Sequence, residues 1–374
     1  MKRVMAFVLA GGRTRGLSVL ADPRSVAATP FGGKYRLIDF TLSNCVNSEI
    51  YNIGVLTQYA PLSLAKHIGR GEPWDLNRRE GGVRILQPYA RQEGARWYEG
   101  TADALRQNLT VLADSGAEQV FVLSGDLVYK MDYSWMLEAH LESGSQVTLA
   151  VSAPPYGEVW RFGMVDTNAA GNITGFTEKP KNSPAQTAFM GVYLFRADYL
   201  REILFESNGA NLILDVLRPR LTTPGVASTY RFEGSWDDVG DLPRYFRANQ
   251  RLLGPNPSPH LADPAWRVFT RSEEMAPVWM REGAQVDDSV VANGAIVEGT
   301  VGRTILSPGV YVAPGAEVRE AILLNGCVVS GRAVVERSVL DKHVHVGEGA
   351  RVGGPEGSGS VIPEHEGITA VGKW

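Results

Sequence analysis

Residues 309–352 read GVYVAPGAEVREAILLNGCVVSGRAVVERSVLDKHVHVGEGARV. Within them Val310, Ala316, Ile322, Val328, Val334, Leu340, Val346 and Val352 recur at six-residue spacing. Small residues, Gly309, Gly315, Ala321, Cys327 and Ala333, precede the first five. A half-buried strand alternates with period two and an amphipathic helix with period 3.6, so a period of six fits neither. It fits stacked coils, in which each hexad forms one flat side of a β-helix. The pattern predicts that the period-six side chains stack inside the coil and that the small residues turn its corners. Ala284, Val290 and Ile296 keep the period but stand two residues out of phase. That offset predicts a bulge or loop between Glu298 and Arg303.

Upstream the rhythm changes. Met5–Leu9, Asn52–Leu56, Gln119–Leu123 and Gln146–Val151 are short β-rich apolar runs. Ala102–Leu112 and Ser134–Leu141 between them have helical patterning. Strands alternating with helices predict an open, mostly parallel sheet, with ligands bound beyond the carboxyl ends of its strands. Gly254 to Pro264 is rich in Pro, Asn and Ser and reads as a linker. The expected division is residues 1–252, a linker over 253–280, and the coil over 281–374.

The 374 residues carry 37 basic and 41 acidic side chains, a net charge of −4. This near balance argues against nucleic acid as the main partner. Cys45 and Cys327 are the only cysteines and stand in unlike contexts, which excludes a disulfide framework or a CxxC metal site. No apolar run is long enough to span a bilayer. Val4 to Ala10 is cut short by Gly11, Gly12 and Arg13, so it reads as a buried first strand rather than a secretion signal. A cytoplasmic protein without a membrane partner is expected.

The first strand leads into Leu9-Ala10-Gly11-Gly12-Arg13-Thr14-Arg15-Gly16-Leu17. Glycines let backbone N–H groups approach a phosphate, and arginines add forked hydrogen bonds to its oxygens. Pro30-Phe31-Gly32-Gly33-Lys34-Tyr35-Arg36-Leu37-Ile38-Asp39-Phe40 follows, then Leu56-Thr57-Gln58-Tyr59 and Trp97 to Ala104. Further on stand Gly125 to Asp132, Arg161-Phe162-Gly163, Phe176 to Pro180, Met190 to Tyr193 and Trp236 to Gly240. In this order the motifs resemble those of the bacterial ADP-glucose pyrophosphorylases (glucose-1-phosphate adenylyltransferases), over nearly the whole chain.

The resemblance implies a Rossmann-like nucleotidyltransferase domain with a mostly parallel mixed sheet, followed by a left-handed parallel β-helix. It implies in-line attack of glucose 1-phosphate on the α-phosphate of ATP, giving ADP-glucose and pyrophosphate, for glycogen synthesis. Such a transfer needs positioning and charge neutralisation more than covalent chemistry. By resemblance Asp126 and Asp238 hold Mg²⁺, and Asp126, Arg15 and Lys179 are catalytic. Leu9, Ala10, Gly11, Gly12, Gln58, Gly100 and Thr101 bind the nucleotide. Tyr98, Gly163, Glu178, Lys179 and Gly191 bind the sugar phosphate. The family's assembly implies a homo- or hetero-tetramer, the latter with a paralogous subunit, and allosteric control.

The chain also departs from the family's pattern. Gly16 stands where the family has its catalytic arginine, with Arg15 one residue early, and Val26 replaces a lysine. Leu127 replaces a histidine, and Asn211 to Asp215 replaces a Ser-His-Asp-Phe-Gly segment. Loss of both basic groups also occurs in family members that serve as regulatory subunits. Three alternatives therefore stay open: a weakly active or non-catalytic regulatory subunit, a pyrophosphorylase for another nucleotide sugar, and a hexapeptide acyltransferase using His343 or His345. The expectation that separates the first from an active enzyme is that Gly16→Arg with Val26→Lys restores activity.

Overall fold

The computed structural model describes residues 3–91, 94–95, 97–168, 171–354, 360–364 and 367–368. The chain packs into two compact units. One comprises Met1–Gly12, Phe40–Pro61 and Ile68–Trp236, the other Arg13–Asp39, Leu62–His67 and Asp237–Trp374.

The first unit is built on a nine-stranded sheet. Gly82–Leu86, Asn52–Leu56, Val4–Leu9 and Gln119–Ser124 lie side by side and parallel. Thr187–Arg196 then pairs antiparallel with Gln119–Ser124. Gly163–Thr167 and Ile173–Glu178 extend that side, while Val147–Ser152 pairs with Thr187–Arg196 and, in parallel, with Ala227–Arg231. The mixed sheet follows from sequence. Met5, Ala6, Phe7 and Val8 are all buried, as are Val120 to Leu123, so both faces of these strands are covered and their runs are continuously apolar.

The expected helix over 102–112 is two helices, Thr101–Gln107 and Leu109–Ser115. Asn108 breaks it. Its side-chain amide donates to the Ala104 carbonyl at 2.8 Å, while its own N–H turns to Leu105. A side chain that bonds the carbonyl four residues back competes with the helix ladder. The next helix, Tyr133–Ser143, is capped by Asp132, which accepts from Ser134 N–H at 2.8 Å. It carries the buried His140, whose Nδ1 lies 2.7 Å from Thr148 Oγ1.

The second unit contains a left-handed β-helix with three parallel sheets of six, five and five strands. Its coil is not three hexads. Thr300 pairs with Glu317, Glu317 with Val334, and Val334 with Arg351, a rise of 17 residues each time. The inward residues Val312, Val318, Leu323, Val329, Val335, Leu340, Val346 and Val352 are buried and follow steps of six, six or five. One side of each coil is therefore a residue short, and a strict six-residue series drifts off the interior. Val328 and Val334, expected inside, are half-buried on the outside, while Val329 and Val335 take the inner positions. The early phase offset has a similar origin. Gln285, Val290 and Ile296 pair with Thr300, Ile305 and Tyr311, a rise of only 15. The corner between Val297 and Val301 is two residues shorter than the later ones, where a bulge or loop was expected.

The segment Arg13–Asp39 packs on this coil within the second unit. Arg24 is buried and donates to both carboxylate oxygens of Asp341, at 3.0 and 3.2 Å, and to Glu364 at 3.3 Å. Tyr245, on the helix Leu242–Gln250, donates to the Pro30 carbonyl at 2.6 Å. Asn249 on the same helix accepts from Gly32 N–H at 2.9 Å. Among the described residues no helix is long and apolar enough to cross a membrane.

Two outcomes follow. Arg24→Ala leaves Asp341 as a buried charge without its forked partner and is expected to cost about 3–5 kcal/mol in urea unfolding. An effect below about 1 kcal/mol would show that water takes the place of the guanidinium. For His140, burial and then the Arg196 charge push the imidazole down to about 4 from the ordinary 6.5. The unfolded chain therefore binds this proton more readily than the folded one. Stability is full above about pH 6.5 and falls as the pH drops toward 4, by up to about 3 kcal/mol. His140→Gln is expected to flatten the pH dependence of the urea midpoint in that window.

Candidate active site

The parallel strands Val4–Leu9, Asn52–Leu56 and Gln119–Ser124 end on one edge of the first unit, and Leu9 to Gly12, Gln58 and Asp126 lie at or just beyond these ends. Leu9 accepts from Gly125 N–H at 3.0 Å and Ala10 donates to the Leu56 carbonyl at 2.9 Å, so the three chains leave together. Gly11 lies against Gln58, and Gly12 is exposed. Gln58 uses both ends of its amide on the Tyr98 backbone. Its Oε1 accepts from Tyr98 N–H at 2.6 Å and its Nε2 donates to the Tyr98 carbonyl at 3.2 Å. In this structure its evident work is to hold the Tyr98 stretch in place. Tyr98 itself is nearly buried, its phenol accepts from Asn108, and burial raises its pKa.

Gly100 precedes the helix Thr101–Gln107 and packs on the Ala210 carbonyl. Thr101 is the first helical residue rather than a cap, and its hydroxyl accepts from Leu212 N–H at 2.9 Å.

On the other flank Gly163 pairs across the sheet with Glu178. Lys179 is exposed, its Nζ 3.6 Å from Glu178 Oε1. Its backbone holds a φ of 45°, uncommon for a residue with a Cβ, and its N–H donates to Phe162. Gly191 has a φ of 79° and packs on Ser124, so any side chain there would be strained. Ser124 in turn donates to Asp126 Oδ1 at 2.5 Å. The sequence reading passed over Ser124. Its position two residues before the aspartate was the available signal.

Asp126 is the chemically distinctive group. Burial, its largest influence, raises its pKa above the ordinary carboxylate value, and the Ser124 hydrogen bond only partly opposes this. No basic side chain pairs with it among the described residues. A desolvated carboxylate at a strand end, without a cationic neighbour, suits a hard divalent ion that takes its remaining ligands from phosphate oxygens. The described residues hold no cluster of three or more His, Cys, Asp or Glu that would form a complete metal cage.

The second unit holds the rest of the glycine-rich loop and Asp238. Arg13 approaches Asp22 at 3.9 Å, whereas Arg15 is exposed and makes no ion pair among the described residues. Asp238 is already engaged. Its Oδ1 accepts from Gly240 N–H at 2.9 Å and its Oδ2 from Arg244 Nη1 at 2.9 Å. Arg244 was not anticipated. The signal was the Asp241 to Arg244 spacing of three at a helix start, where Asp241 caps the helix and also accepts from Arg244 Nε at 3.2 Å.

Gly16 sits against this turn. A Cβ at position 16 would stand 2.4 Å from the Gly240 carbonyl oxygen and 3.0 Å from Asp241 Cβ. Val26 is buried. The expectation that Gly16→Arg with Val26→Lys restores activity is therefore withdrawn. The first change collides with backbone, and the second places an ammonium where water cannot reach it.

The chain matches the nucleotidyl transferase family over residues 5–254 and the GlmU-like C-terminal hexapeptide family over residues 276–358. It is similar to the glucose-1-phosphate adenylyltransferase of Thermomicrobium roseum, 45% identical over 383 aligned positions covering 100% of this chain and 90% of that one. The enzyme of that name from Fervidobacterium nodosum is 41% identical over 362 positions, 94% of this chain and 86% of the relative. That from Acetivibrio thermocellus is 39% identical over 385 positions, covering 100% and 89%.

Asp126→Asn is expected to keep or raise thermal stability, by up to about 1 kcal/mol, because a desolvated charge becomes a neutral amide. In thermal unfolding with Mg²⁺ and ATP added, the same variant is expected to lack any stabilisation that the unaltered chain gains. A shift retained in full would remove Asp126 from the metal site.

Proposed function

Because the chain belongs to the glucose-1-phosphate adenylyltransferase family, we propose that it catalyses that family's reaction itself, joining ATP and glucose 1-phosphate into ADP-glucose and releasing pyrophosphate. The observation that carries this reading is Asp126, a half-buried, desolvated carboxylate just past the end of a central strand with no cation beside it among the described residues. A chain that had given up the chemistry would gain stability by losing such a group.

In this reading residues 1–252 carry the chemistry, 253–280 join, and 281–374 form the coil. Leu9 to Gly12 supply backbone N–H groups to the ATP phosphates. Gln58 holds the Tyr98 to Thr101 stretch beside the base. Lys179 offers an ammonium to the sugar phosphate, and Glu178 accepts from glucose hydroxyls with Gly163 and Gly191 leaving room. Mg²⁺, held by Asp126 with Asp238, supplies charge neutralisation when bound. Arg15 provides the guanidinium that faces the departing pyrophosphate, in place of the family's arginine one residue later. The protein acts in the cytoplasm, in a homo- or hetero-tetramer, as a step of glycogen synthesis under allosteric control.

Gly16 and the engagement of Asp238 by Arg244 favour a second reading, a regulatory subunit that binds sugar nucleotide beside an active paralogue. A pyrophosphate-release assay of the purified chain with glucose 1-phosphate and Mg²⁺ separates them. Robust turnover with ATP, much less with UTP or dTTP, and a roughly hundredfold loss in Arg15→Ala are expected. No release with any nucleotide would leave the regulatory reading standing, and preference for UTP or dTTP would name another nucleotide sugar.

A further inference from the structure

Arg244 is buried beside the turn that carries Asp238, and no catalytic assignment uses Arg244 itself. Its guanidinium donates from Nη1 to Asp238 and from Nε to Asp241. These two carboxylates stand three residues apart on one tight turn and would repel each other without a cation between them. Asp238 also accepts from Gly240 N–H, so three bonds close residues 238–241 on themselves.

The outer surface of that turn is what the glycine-rich loop rests on. Thr14 Oγ1 donates to the Gly240 carbonyl at 3.0 Å, and Gly16 N–H donates to Thr14 Oγ1 at 3.1 Å. Leu242 N–H donates to the Gly16 carbonyl at 2.9 Å. At Gly16 the two backbones are too close for any Cβ. The loop on either side of Arg15 is thus fastened to the turn, while the Arg15 side chain stays exposed.

We propose that Arg244 is a positioning residue for Arg15. It holds the 238–242 turn in the one shape on which Thr14 and Gly16 dock, and this docking fixes the backbone that presents the Arg15 guanidinium to pyrophosphate. The glycine at 16 and the arginine at 15 are then one adaptation. The close approach of the turn forbids a side chain at 16, and the neighbouring position carries the cation instead. The inference rests on the proposed role of Arg15 in pyrophosphate release.

The test is a double-mutant cycle read by two independent measurements. Pyrophosphate affinity is measured by calorimetry on the full chain with Mg²⁺, and kcat and KM for ATP and glucose 1-phosphate by pyrophosphate release. Arg244→Ala and the milder Thr14→Val, which removes only the hydroxyl, are each made with and without Arg15→Ala. With Arg15 present, each is expected to weaken pyrophosphate binding and kcat by about five- to tenfold with little change in KM for glucose 1-phosphate. With Arg15 already removed, Thr14→Val is expected to have no further effect, because its only route is through that side chain, and Arg244→Ala to keep only the smaller effect of releasing Asp238. Equal losses in both backgrounds would overturn the proposal and leave Arg244 as a helix-capping and stability residue. If Arg244→Ala fails to fold, Thr14→Val decides alone. If the unaltered chain releases no pyrophosphate, the catalytic reading fails, but the binding cycle still decides the inference. Coupling there supports it, and additivity or no pyrophosphate binding overturns it.

Discussion

The second unit depends on one buried ion pair, Arg24 with Asp341. These residues are 317 positions apart in the chain, and both are almost wholly excluded from water. Desolvating the two charges offsets much of their attraction, so the pair adds little net stability over a well-packed apolar contact. Its consequence is geometric. A buried guanidinium is satisfied only where a carboxylate meets it in the fork, and Asp341 offers that at one level of the coil. Segment 13–39 therefore has a defined seat on the β-helix, and its flanks follow. Gly33 packs on Val290 and Ile305, and Tyr245 reaches the Pro30 carbonyl. The loop that begins at Arg13 starts from a fixed base.

Charge placement sets the character of the candidate site more than hydrogen-bond number does. Asp126 is desolvated and has no cation beside it among the described residues, which leaves it disposed toward a metal. Asp238 has the same side chain but already faces a buried guanidinium and a backbone N–H. A metal at Asp238 would have to share its carboxylate with Arg244. Each oxygen has a second lone pair for this, but the like charge of the guanidinium opposes it. The two aspartates therefore differ in character: Asp126 is the more available to a cation, and Asp238 is already paired.

The coil shows how a correct fold assignment can rest on a series that is only partly internal. Three flat sides of six would make 18 residues, yet the middle coils rise by 17 and an earlier one by 15. The structure absorbs the missing residues at corners and on one short side, where backbone carbonyls stack regardless of side chain. Side-chain period is imposed only by the inward positions. Those positions shift by one when a side shortens, which is why Val329 rather than Val328 is inside.

What the sequence by itself determined is what depends on local composition and order. The apolar runs at 4–9, 52–56 and 119–124 specify strands buried on both faces, and the recurring aliphatic residues after 300 specify a coil. The order of the motifs was enough to identify the family. Leu9 to Gly11 lie at a strand end, and Gly163 pairs with Glu178. Only the tertiary structure decided which of these groups are free to act. Gln58 and Thr101 are taken up by backbone partners 40 and 111 residues away. Asp238 is held by an arginine whose importance no motif marks. Gly16 reads in sequence as a lost arginine, but in space it is the one residue that fits under the Gly240 carbonyl. These outcomes turn on distances of a few ångströms between segments far apart in the chain. Such distances arise from packing the whole unit, so no stretch of residues read in order contains them.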